Sequence, residues 1–294
     1  MGILYALVTV LAWGTWLAPS QNINFKNQQI KTLYVAAANL VLATLVFLIQ
    51  GFTGLTWQVF WLPFVGGLIW AVSAFLAFTA THRLGMARAY GIWTPLNVGF
   101  SILWGVVIFS EFLTAGRLTL ILLAASLIIL FAGVLLIIFA KGFDRGQGST
   151  GNFWIGLLSA LGTGVLWGSY FIPIKLSAAS MWVAAFPLAV GIFTGSCILV
   201  LLTRRSIRLN HPAEYLRVAV SGLLWGVGNY GMLLLVEQLG AGRGFTLSQL
   251  GVVVNGLVGV LVLKDPRPKS RAALLTLVGC VLACLGGVLL GSLK

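Results

Sequence analysis

Two stretches hold the residue types from which a site for a small polar solute can be built: WGTWLAP at 13–19 and WGSYFIP at 167–173. In each, a glycine permits close backbone approach, and a proline (Pro19, Pro173) removes a helix hydrogen bond, so the helix can kink or unwind there. The rings of Trp13, Trp16, Trp167 and Tyr170 offer an apolar face to a ring-shaped solute such as a sugar, and Thr15, Ser169 and Tyr170 offer hydroxyl partners. Further polar and aromatic residues recur inside apolar runs. These are Trp70, Ser73, Trp225, Asn229 and Tyr230, then Trp93, Thr94 and Asn97, then Ser248, Gln249 and Asn255. An amide in lipid costs free energy without a partner, so Asn229 is expected to face a protein interior. Helix packing, interhelical hydrogen bonding and an interfacial aromatic belt account for the same residues by a blander route; the repetition of Gly and Pro in both stretches favours a site.

Ionisable groups are few. His82 and Glu237, 155 apart, are the candidates for proton coupling, with a solvated helix end as the alternative for each. Arg88 and Arg243 follow a repeated Leu-Gly turn, with a gate and a helix cap or lipid-headgroup contact as the two readings. Glu111 and Asp265 close two apolar runs at the helix end that the macrodipole reserves for cations, with Lys264 and Arg267 as the expected compensation. Two distant histidines and three cysteines (Cys197, Cys280, Cys284) without metal spacing give neither a metal site nor an enzyme's cluster. GVGNYG at 226–231 has the spacing of a dinucleotide loop, yet it lies within an apolar helical run rather than after a strand, so no nucleotide cofactor is expected.

The elements that position these residues follow from composition. Of 294 residues 60% are hydrophobic and 8% charged, with mean hydropathy +1.04. Soluble domains carry about 25% charged residues, and a chain this long has too little interior to hide so much apolar surface from water. Lipid is therefore the expected solvent. The +13 net charge comes from short Lys/Arg clusters between apolar stretches and reads as a topology signal, not as a nucleic-acid-binding face.

A membrane-spanning helix needs about 20 residues. Ten spans are expected, near 3–19, 32–50, 58–80, 90–110, 118–140, 153–174, 179–203, 217–236, 245–263 and 272–292. The first is read as a retained span, since it lacks a signal peptide's basic start and cleavage site. A polar linker at 141–152 divides repeats at 1–140 and 153–294 that together form one unit. GLIWAV (67–72) recurs as GLLWGV (222–227) and LGMAR (84–88) as LGAGR (239–243), both at an offset of 155. The fold class is thus an all-α integral membrane protein of ten transmembrane helices in two five-helix repeats. An odd number of spans per repeat inverts the second copy. Fourteen of the 18 Lys and Arg residues fall after spans one, three, five, seven and nine, which makes that face cytoplasmic and puts both termini outside.

LGMARAYGIWTPLN (84–97), LWGVGNYG (224–231) and FTLSQLGVVVNGLVGVLVLKD (245–265) resemble the drug/metabolite transporter superfamily, and within it the glucose/ribose porters, which include bacterial glucose uptake proteins and the L-rhamnose–proton symporter. The resemblance spans nearly the whole chain. It implies a carrier of the prokaryotic cell membrane that imports a small sugar by alternating access, with proton coupling or passive facilitation. It also implies that spans one, three, four, six, eight and nine line the pathway while five and ten lie further out. Export of a drug or metabolite is the alternative within the superfamily. A purely structural scaffold is the third reading, less suited to a kinked, tryptophan-rich interior. Partners are the solute and membrane lipid; Gly287 and Gly291 have the spacing of a helix-packing face that a homodimer could use.

Overall fold

The computed structural model describes residues 2–51, 53–110, 116–140, 153–203 and 206–293. The linker at 141–152 and Glu111 lie outside the described residues. Within them the regular structure is helical: α1 (Gly2–Thr15), a 3₁₀ turn (Ala18–Ser20), α2 (Gln28–Ile49), α3 (Trp57–Leu84), α4 (Met86–Val107), α5 (Arg117–Ala140), α6 (Phe153–Trp167), α7 (Phe171–Leu176), α8 (Met181–Leu201), α9 (Pro212–Leu239), α10 (Ala241–Ser248), α11 (Gly251–Leu257) with a π turn (Val258–Val262), and α12 (Arg271–Ser292). Starts are set by side chains that satisfy free backbone N–H groups. Asn27 Oδ1 accepts from Ile30 N at 3.1 Å, and Ser270 Oγ accepts from Ala273 N at 3.0 Å.

Nine helical segments among the described residues have the length and hydropathy to cross a membrane. The tenth expected span is α4, 22 residues long and so able to cross, but more polar and buried along most of its length. The surface reverses that of a soluble protein. Leu7, Leu45, Leu120, Ile128, Leu158, Leu201 and Leu285 are exposed, whereas Asn39, Ser73, Asn97, Thr163, Asn229, Gln249 and Asn255 are buried. Apolar side chains facing outward, with the polar ones kept inside an otherwise apolar core, is the arrangement lipid selects.

The helices pair in a reciprocal pattern. α3 packs on α6 and α8, as α9 packs on α1 and α2; α4 packs on α6, as α11 packs on α1; α2 meets α8, and α5 meets α12. Several turns match in conformation at the sequence offset. Gly85 and Gly240 join α3 to α4 and α9 to α10 with φ of 82° and 87°, and Ser110 and Lys264, 154 apart, have φ of 56° and 57°.

Three expected continuous spans are broken, the first of them after Thr15, where α1 gives way to the 3₁₀ turn. The sixth runs as α6, a turn at 168–170 and α7, and the ninth as α10, a turn at 249–250 and α11. The sixth span's break precedes Pro173, which sits inside α7. Gly168 accounts for its place: a Cβ there would stand 2.7 Å from Phe100 Cβ and 2.9 Å from Asn97 O, so α4 crosses hard against the turn. Gly287 faces inward in this chain, 3.6 Å at its Cβ position from Thr246 Cγ2, and the side of Gly291 lies outside the described residues.

The left-handed turns make a direct prediction. Gly85→Ala and Gly240→Ala should each lower stability by about 1–2 kcal/mol from backbone strain alone. Gly85→Ala should also disturb Asp265, whose carboxylate fills the space a Cβ would take. Thermal unfolding of the purified protein in detergent reads both.

Candidate functional site

The breaks converge. Trp13 and Trp16 come from the end of α1 and the turn after it, Trp70 from the middle of α3, and Trp225 from α9. Trp167 ends α6 and Tyr170 lies in the following turn, while Phe245 and Gln249 come from α10 and its break. Helix α4 gives Tyr90, Trp93 and Asn97, one face at spacings of three and four. Together these eleven side chains line one central cavity between the two halves of the chain. They come from the six expected spans: one, three, four, six, eight and nine.

Trp167 is the hub of the wall. Its ring centroid lies 6.0 Å from Trp16, 5.9 Å from Trp70 and 5.3 Å from Trp93, the last edge to face at 89°. Trp70 continues to Trp225 at 4.3 Å, and Trp93 to Tyr90 at 5.1 Å. Such pairs add about 0.5–1.5 kcal/mol each beyond burial. Hydrogen bonds fix the ring edges: Trp13 Nε1 donates to Trp225 O at 3.2 Å, and Tyr90 Oη donates to Trp13 O at 3.0 Å. Tyr170 Oη donates to Asn229 Oδ1 at 3.0 Å. The amides of Asn97 and Gln249 lie 3.4 Å apart. With Nδ2 turned toward α6, Asn97 donates to Trp93 O at 3.2 Å and Gly164 O at 2.8 Å.

The indole N–H of Trp167 is buried without a hydrogen-bond partner among the described residues. A buried unpaired donor costs about 1–3 kcal/mol, and a hydroxyl-bearing solute can accept from it. The open volume is about 20 Å³, room for about one water, whereas small-molecule sites run to about 300–1,000 Å³. A ring-sized solute does not fit between the side chains as they are packed here.

The other sequence candidates sort by position. Thr94 lines a second small cavity beside the first. Asn229 holds Tyr170 from behind, and Asn255 Nδ2 donates to Gly14 O at 3.3 Å, fixing the backbone beside Trp13. Ser169 accepts from Trp104 Nε1 at 2.8 Å, Ser248 donates to Phe245 O, and Thr15 donates back to Leu11 O at 2.8 Å. Tyr230 packs on Trp182 with ring centroids 5.5 Å apart. None of these seven lines the central cavity. His82 and Glu237 are exposed at the ends of α3 and α9, away from it. Arg88 forms an ion pair with Asp265 at 3.2 Å, so Asp265 is matched by an arginine from the other half. The side chain of Arg243 lies outside the described residues.

Sequence reading missed Tyr90 and Phe245, although the spacing of Tyr90 to Trp93 and Asn97, and of Phe245 to Gln249, marks a shared face. It also counted Lys31 among loop charges. Lys31 is 3% exposed, its Nζ 4.7 Å from the centroid of Phe78 and 5.9 Å from that of Phe25. Phe78 in turn packs on Trp16 at 5.6 Å, so this ammonium is two rings from the cavity centre. Only the packed helices reveal that.

Comparison with known proteins gives a consistent result. The profile of a family described as "Sugar transport protein" matches residues 4–293. A Bacillus anthracis protein named for sugar uptake is 31% identical over the full length of both chains. The glucose uptake protein GlcU of Bacillus subtilis is 27% identical over all of this chain and 99% of its own. A protein solved by crystallography superposes with a TM-score of 0.66 at 21% identity, covering 99% of this chain and 98% of that one, a likeness of fold.

The bond between Tyr170 and Asn229 carries a test. Tyr170→Phe leaves a buried acceptor unpaired and should cost about 1–3 kcal/mol, and adding Asn229→Leu should restore part of that loss. A double-mutant cycle of unfolding in detergent measures it.

Proposed function

Taking as premise that this chain belongs to the family of sugar transport proteins, we propose that it imports a small sugar across a bacterial membrane by alternating access around the tryptophan-lined cavity. The family is one of transporters rather than enzymes. The observation that carries the site is the coincidence of three breaks, after α1, after α6 and after α10, at one cavity with aromatic walls and amide corners. Aromatic faces suit the C–H face of a pyranose, and Asn97, Gln249 and the unpaired Trp167 N–H suit its hydroxyls.

Movement follows from the pairing of helices. The reciprocal contacts and matched turns support an inverted repeat, in which two arrangements of similar energy open the cavity to opposite sides. The cross-half pair Arg88–Asp265 ties the start of α4 to the chain after the π turn, which suits it to hold one end shut. The distribution of Lys and Arg supports termini on the outer face. The resemblance to the rhamnose–proton symporter extends the proposal to proton-coupled uptake. The buried ammonium of Lys31 is placed to take part, since a charge within a span is held only at a cost.

Radiolabelled glucose uptake into proteoliposomes tests this reading. The wild-type protein should accumulate label faster than empty vesicles, and an inward proton gradient should raise the rate. Trp16→Ala and Trp167→Ala, reconstituted in equal amount, should lose at least about tenfold, the equivalent of about 1.4 kcal/mol. No uptake of glucose, ribose or rhamnose would overturn the sugar reading. Equal rates with and without the gradient would overturn only the coupling.

A further inference from the structure

Behind Gln249 lies a second cavity, between α4, α10 and α12, that the central site does not explain. Its open volume is about 10 Å³, large enough for one water-sized group. Gln249 lines both cavities and is the partition between them. Two threonines face into the second, Thr94 at 3% and Thr246 at 0% exposure, and the hydroxyl of each is buried with no hydrogen-bond partner among the described residues.

Several threonines elsewhere bond back to the carbonyl four residues earlier, although Thr276 of α12, outside this lining, is also buried without a partner among the described residues. Thr9 reaches Tyr5 O, Thr44 reaches Leu40 O and Thr79 reaches Phe75 O. Thr94 and Thr246 decline that partner. They also share a setting, for each precedes by three residues one of the two amides that meet at the central cavity: Thr94 and Asn97, Thr246 and Gln249. The rest of the lining is apolar, with Pro95 and Val252 among it. Two unpaired hydroxyls beside a water-sized space match one further hydroxyl, carried in on a methylene that passes Gln249.

On the reading that the central cavity takes a sugar ring, we propose that this second cavity is the subsite for the exocyclic hydroxymethyl group of a hexopyranose, with Thr94 and Thr246 as specificity-determining residues. The hydroxymethyl is the one pyranose substituent that reaches an extra bond beyond the ring. It passes the Gln249 amide as that side chain swings aside, its CH₂ lies among the apolar side chains, and its hydroxyl pairs with both threonines. A sugar without that hydroxyl leaves both threonines unpaired, and sites built to bond a hydroxyl discriminate on those grounds.

Glucose and 6-deoxyglucose differ by this one oxygen, so their uptake by the wild-type protein in proteoliposomes is the first test. Glucose should be favoured by about three- to tenfold. Thr94→Val and Thr246→Val keep the side-chain shape and should abolish that preference by lowering glucose uptake to the level of 6-deoxyglucose; Thr94→Ser should retain it. Equal uptake of the two sugars by the wild type, or a parallel fall of both in the valine variants, overturns the subsite and leaves the sugar reading standing. Absence of uptake of any sugar overturns both.

Discussion

In hydrocarbon an unpaired backbone N–H or C=O has no water to turn to and costs about 1–3 kcal/mol or more. A helix in such a solvent can break only where protein or a cavity surrounds the freed groups. Here the chain leaves helical geometry at three places within spans: after Thr15, at 168–170 and at 249–250. All three face the same cavity, and the freed groups are taken up locally. Tyr170 N donates to Leu166 O at 3.0 Å, Tyr90 Oη reaches Trp13 O, and Asn255 reaches Gly14 O. The position of the site is thus set by where broken backbone can be tolerated.

The wall those breaks expose is mostly carbon. Indole rings give large contact areas with few rotatable bonds, and the cluster centred on Trp167 packs ring against ring. The polar groups at its corners are held at one end and presented at the other: Tyr170 by Asn229, Asn97 by α6, and Trp13 by α9.

Charge is handled differently at two depths. The Arg88–Asp265 pair joins two chain segments at side-chain exposures of 9% and 26%, and the facing carboxylate offsets the desolvation of the arginine. Lys31 is deeper and lies over aromatic faces. Its amine packs over the Phe78 ring, so its position depends on Phe78 and, through it, on the wall of the site.

Composition alone determined the solvent of this protein, because 8% charged residues over 294 cannot clothe a soluble surface. The spans were legible too, since hydropathy is a local property, and the six spans whose residues line the cavity are those the family resemblance implied. Sequence also marked Trp13, Trp16, Trp167 and Tyr170, whose repetition has no packing necessity. It did not separate residues that line the cavity from those that support it. Thr15, Ser169, Asn229 and Asn255 have the same chemistry as Asn97 and Gln249, and only helix rotation decides which of them meets the cavity. Nor could it pair Asp265 with Arg88, 177 positions away, bury Lys31, or set Thr94 beside Thr246. Those relations arise between helices that the chain order keeps apart, and packing of the whole bundle is what fixes them.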